Sequence, residues 1–204
     1  MTTDQGPTVY AVKPRTFQDF ALRLAPAAAS VANYCDHVEH NEITERAWVT
    51  GPAGVLQDAA IEFADAAGLS IVAVYAERLG AIEARNIAAR PGGHDGHLAA
   101  LQASSWRELQ LVQLDHDRVY HPDVVGLAKL QQLCHCALHL AKIVGAFAEP
   151  RAEQELLHRR LPDVLLFAVK LHTVMGSRLQ DEPLPAGPTG RFAEASTRRL
   201  LQPS

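Results

Sequence analysis

The sequence predicts an all-α protein, an antiparallel bundle of five to six helices, on three observations. Ala, Leu, Gln, Glu and Arg dominate the composition and long β-branched runs are absent, which favours helix. Apolar residues recur at i, i+3 and i+4 in successive stretches. The breaks between those stretches are short and carry Pro or Gly, so consecutive helices should lie side by side and antiparallel. With 48% hydrophobic residues in 204, the chain can bury one sizeable core.

Residues 1–15 hold two prolines and no amphipathic period and predict a loose N-terminal segment; 16–180 form the single bundle domain; 181–204, rich in Pro, Gly and Ser, predict a flexible C-terminal tail. The first helix, Phe17 to Val38, should break or kink at Pro26, and Thr50-Gly51-Pro52-Ala53-Gly54 reads as a loop. Leu56, Ala59, Ala60, Phe63 and Ala67, then Val72, Ala76, Leu79 and Ile82 beyond Gly68, give two helices or one kinked one, closing at Pro91-Gly92-Gly93. Leu101, Ser105, Leu109, Val112 and His116 trace a further helix that stops before Tyr120-His121-Pro122. Pro122 opens the next, with a core stripe of Leu127, Leu130, Cys134, Ala137, Leu138, Ala141 and Gly145. The last, from Pro162 to Gly176, turns Leu161, Leu165, Ala168, His172 and Met175 inward.

Charge narrows the function. A net charge of -4 lacks the basic excess of a general nucleic-acid binder but leaves room for a small anionic ligand. No apolar run reaches the length of a membrane span and the N-terminus has no signal-peptide pattern, so no membrane and a cytoplasmic location are expected. Three cysteines, with Cys134 and Cys136 badly placed for a mutual disulfide, agree with a reducing compartment. A bundle this rich in Ala and Leu is expected to have a spare apolar face and to form a homo-oligomer, a dimer being the simplest.

Ten histidines are the unusual count. His135 and His139 stand at i, i+4 on one side of a helix, with Gln131 and Lys142 in the same row. Folding the chain about residues 121 and 122 sets Glu108 opposite His135; folding it about Arg151 sets Asp163 opposite His139 and Arg160 opposite Lys142. The expectation is a divalent metal held by His135, His139 and Asp163, with Glu108 as catalytic base or ligand and Lys142 and Arg160 as anion contacts. Imidazole plus carboxylate suits Zn, Mn or Fe rather than Mg, and such an ion activates water for hydrolysis of a phosphate. The competing reading is a non-catalytic binding or partner protein in which the same groups form a buried hydrogen-bonded network. His116 and His121, within Asp115-His116-Asp117 and His121-Pro122-Asp123, could line the mouth of the site or simply end helices. The row Asp58, Glu62, Asp65 and the patch Asp36, His37, His40 are weaker sources of ligands.

The stretch Leu161-Pro162-Asp163-Val164-Leu165-Leu166-Phe167, following a helix with the polar set His135, Cys136 and His139, resembles the all-α MazG-like nucleotide pyrophosphohydrolases over residues 125–180. In that family one helix carries E-E-x-x-E and the next E-x-x-D, and the acids bind magnesium that positions a triphosphate for attack by water. The resemblance implies a helical bundle and a site built from His135, Cys136 and His139 against Arg160 and Asp163. Only Asp163 keeps the acidic type.

Overall fold

A computed structural model describes residues 16–42, 44–86 and 95–185. The described residues form an all-α structure of α1 (Phe17–Glu39), α2 (Ala47–Ala66), α3 (Ile71–Arg85), α4 (Gly96–Gln102), α5 (Trp106–Tyr120), α6 (Pro122–Val125), α7 (Lys129–Ala148), α8 (Glu153–Glu155) and α9 (Leu161–Val174), with a π-helical turn at Leu156–Arg160. Six of these have 14 residues or more, and the short α4, α6 and α8 redirect the chain between them. No single helix among the described residues is long and apolar enough to cross a membrane.

Side chains set the starts. Thr16, Ser70 and Ser105 accept hydrogen bonds from Asp19 N, Ala73 N and Glu108 N, satisfying amide groups that the first turns of α1, α3 and α5 leave open. Gly68, at φ 73°, ends α2, and the chain turns by 105° into α3. Pro26 does not break α1: the carbonyl that loses its partner belongs to Leu22, 72% exposed, where water can serve instead. Nor are Thr50–Gly54 a loop; they lie inside α2. Pro52 frees the carbonyl of Trp48, and the Ser30 hydroxyl of α1 donates to it at 2.9 Å.

The core gathers around α9, buried without interruption from Leu161 to Leu171 rather than along one inner stripe. A helix with apolar residues on every side must be enclosed, and α2, α3, α5 and α7 all pack against it, with Asp163 and Lys170 as its buried charged residues. Phe20, Phe63 and Phe147 join α1, α2 and α7, with Phe20 stacked on Phe63 at 4.3 Å and edge-on to Phe147 at 4.8 Å. Along α7 the buried stripe is Leu133, Cys136, Leu140, Ile143, Ala146 and Phe147. That is rotated from the predicted stripe: Leu138 is 68% exposed, Leu127 precedes the helix, and Cys136 rather than Cys134 is in the core. The expected single helix through Ser105 is two, because Ser105 caps α5.

Residues 181–185, expected in the loose tail, dock on the start of α5, where Trp106 N and Arg107 N donate to the carbonyls of Glu182 and Gln180. The rest of that tail and the N-terminal segment 1–15 lie outside the described residues.

Candidate anion-binding site

The site grows from the junction of α3, α7 and α9. Pro162 cannot donate to the carbonyl four residues back, and the backbone widens into a π turn just before it. α9 then presents Asp163 to α3. There Arg78 grips it with two hydrogen bonds, Nε to Oδ1 at 2.6 Å and a terminal nitrogen to Oδ2 at 3.3 Å, both side chains being largely buried. Burial raises the Asp163 pKa above the usual carboxylate value and the Arg78 hydrogen bonds oppose it. About two turns further along, Lys170 pairs with buried Asp117 of α5 at 3.1 Å. Tyr75 donates to Gln113, and Gln113 donates to the Leu166 carbonyl, each at 2.8 Å, so a buried polar chain fixes α3, α5 and α9 relative to one another.

Between these elements lies a cavity of about 230 Å³, lined among others by Arg78, Arg85, His121, His135, His139, Asp163 and Lys170. It opens beside a shallower hollow formed by His135, Leu138, His139, Ala141 and Lys142. His135 and His139 lie with ring centroids 4.5 Å apart, and His139 stacks on Phe167 at 4.8 Å. Three permanent cations and three imidazoles therefore face one carboxylate, which is already engaged by Arg78.

The titration of the imidazoles records that field. Burial, then His135, Lys142 and Lys170, hold His139 down to about 4. Burial and Lys170 lower His135 and His121 as well, with Asp117 and Asp123 opposing. A bound anion would reverse the electrostatic part of each shift.

Of the sequence-derived site residues, His135, His139, Asp163 and His121 line this one cavity, and Lys142 lines the hollow beside it. Arg160 pairs with Glu155 at 3.1 Å and acts on Asp163 only through its charge. Glu108 is elsewhere. It sits exposed at the start of α5, accepting hydrogen bonds from the backbone and hydroxyl of Ser104, which lower its pKa. The hairpin sum failed because α6 and the turn after it redirect the chain between α5 and α7. His116 does not line the cavity either; it packs against Tyr120 and faces Glu83. Glu62 is taken by Arg23 at 2.6 Å, and His37 and His40 pair locally with Glu42 and Asp36.

Arg85 and Asn86 at the end of α3, and Arg78 within it, are lining residues that sequence reasoning missed. The spacing of Arg78 and Arg85, seven residues apart in a helix, was the available signal.

The magnesium implied by the MazG-like resemblance does not fit these residues. Cys136 is buried in the core, Asp163 is bound to Arg78, and a hard dication would enter among Arg78, Arg85 and Lys170. Comparison with protein-family models, curated proteins and solved structures gives no match for this chain.

Proposed function

We propose that the protein binds a small phosphate-bearing anion in the cavity between α3, α7 and α9. The observation that carries this reading is the convergence of Arg78, Arg85, Lys170 and three imidazoles on one space, where Asp163 and Asp117 offset Arg78 and Lys170 and leave Arg85 and the imidazoles to meet an anion. At about 230 Å³ the space is below the roughly 300–1,000 Å³ of sites for drug-sized ligands, which favours a compact anion or the phosphate end of a larger one. Arg85, exposed at the rim, supplies a forked donor set, and Lys142 extends the positive field across the adjoining hollow.

Hydrolysis of the bound phosphate, the activity that the resemblance implies, needs a metal and a base at the cavity. Glu108 stands away from it and Asp163 is held by Arg78, so recognition rather than turnover is the reading that the geometry supports. A cytoplasmic, dimeric protein remains part of the proposal and rests on the composition and the three free cysteines.

Isothermal titration of the full chain with inorganic phosphate, pyrophosphate and a phosphomonoester tests the reading. Arg85→Gln should weaken binding by about tenfold, equivalent to ~1.4 kcal/mol. Equal affinity of the wild type and of a double Arg85→Gln, Lys142→Gln variant for every one of these anions would sink it.

A further inference from the structure

We propose that Glu83, Asp95 and His97 hold a divalent transition-metal ion, with His116 as a fourth donor, on the face of α3 that adjoins the anion cavity. The donor atoms of Glu83, Asp95 and His97 all lie within 4.8 Å of one another. Donors sharing a zinc at ~2.0–2.2 Å stand up to roughly twice that distance apart, so small side-chain rotations close the set. His116 adds an imidazole nitrogen 3.7 Å from Glu83 Oε1. Two imidazoles and two carboxylates are a borderline donor set, suited to zinc, manganese, iron or cobalt and poorly to magnesium.

Charge gives the second, independent argument. Three carboxylates in the described residues are buried, those of Glu83, Asp117 and Asp163. Asp117 has Lys170 and Asp163 has Arg78. Glu83, 2% exposed, meets no Arg or Lys among the described residues: it accepts from the His97 backbone amide at 3.0 Å and faces the imidazoles of His97 at 2.6 Å and His116 at 3.7 Å. A buried carboxylate is paired with a cation or coordinates a metal, and a divalent ion here supplies the charge that Arg and Lys supply to the other two. Asp95 is exposed and His97 half-buried, so the ion has a route in and an open position for water.

The backbone is fitted to the same arrangement. A Cβ on Gly96 would lie 2.8 Å from His116 Cδ2 and 3.0 Å from Glu83 Oε1, so only glycine lets the Asp95–His97 segment come this close.

The test is cobalt(II) and zinc(II) titration of the tag-free full chain after chelator treatment, read by visible absorption, by elemental stoichiometry and by the imidazole proton resonances. One ion per chain is expected, with the His97 and His116 signals displaced. Asp95→Asn and His97→Gln, both at accessible positions, should each weaken binding by tenfold or more with unchanged helicity. His139→Gln and Arg85→Gln should bind metal as the wild type does, which separates this site from the anion cavity. Binding unaltered in both Asp95→Asn and His97→Gln, binding lost in His139→Gln, or no ion retained at micromolar concentration would each overturn the proposal.

Discussion

α3 carries two polar sites of opposite sign on adjoining faces. On one, Arg78 and Arg85 join Lys170 and three imidazoles around a cavity; on the other, Glu83 meets Asp95, His97 and His116. Both contain a buried carboxylate, but Asp163 has a permanent cation gripping it and Glu83 has none among the described residues. The lesson is that burial alone does not assign a role to a carboxylate; what stands opposite it does. A carboxylate with a forked arginine is neutralised and structural, whereas one surrounded by imidazoles is a ligand in waiting.

The largest break in this contrast should come from Asp163→Ala. Removing one partner of a buried ion pair strands Arg78, and urea denaturation should show a loss of ~3–5 kcal/mol. Glu83→Gln keeps an acceptor for the His97 backbone amide, and in metal-free protein should cost less, about 1–3 kcal/mol. Equal losses would mean that the two carboxylates are held alike. Gly96→Ala, which pushes a methyl against His116 and Glu83, should destabilise by about 1–3 kcal/mol in the same assay, while Gly145→Ala, with open space around it, should not destabilise.

Acid separates the two faces further. His139 and His116 both titrate at about 4 in the folded protein against 6.5 when free, so the unfolded chain binds protons first. Their contribution to stability is complete above pH 6.5 and is lost as the pH falls towards about 4. Salt should then distinguish them. Cations, Lys142 and Lys170, depress His139, so high ionic strength raises its pKa; the charges nearest His116, Asp117 and Glu83, oppose its shift, so salt lowers its pKa or leaves it unmoved. Imidazole chemical shifts followed at low and high salt check this, and parallel movement would refute it. The smallest effect is the most telling for function: Arg85→Gln should leave the unfolding free energy within ~0.5 kcal/mol of wild type while weakening anion binding.

Much of the fold was legible because helical period and composition speak locally. The all-α class, the starts near Phe17 and Pro162 and the break at Gly68 all follow from residues within a turn of the event. What misled was the inference from a local rule to a tertiary outcome. Pro52 ought to break α2, and Ser30 from another helix relieves it. The apolar pattern that includes Leu127 and Leu138 points to a stripe on α7 a face away from the buried one. In the cavity, the His135 and His139 pair and Asp163 could be related by counting across one tight connection, but Glu108 could not, since two redirecting turns intervene. The Glu83 cluster is not legible in the sequence because its members come from a helix face and separate segments with no shared period. Its one signal was the glycine-punctuated string Gly93-His94-Asp95-Gly96-His97, dense in ligand-type residues.

The docking of residues 180–184 on α5 makes the segment after α9 a support for the middle of the chain. The amides of Trp106 and Arg107 donate to it, Leu184 N returns a bond to Ser104, and Leu179 N reaches Gln110. α5 in turn carries Gln113, which sets α9 beside α3, together with Asp117 and His116, one for each polar site. A chain cut after Met175 would thus keep every residue of the cavity and of the Glu83 cluster, yet lose the clamp that holds the helix common to both. Length of chain, rather than identity of site residues, then becomes a lever on both proposed sites at once.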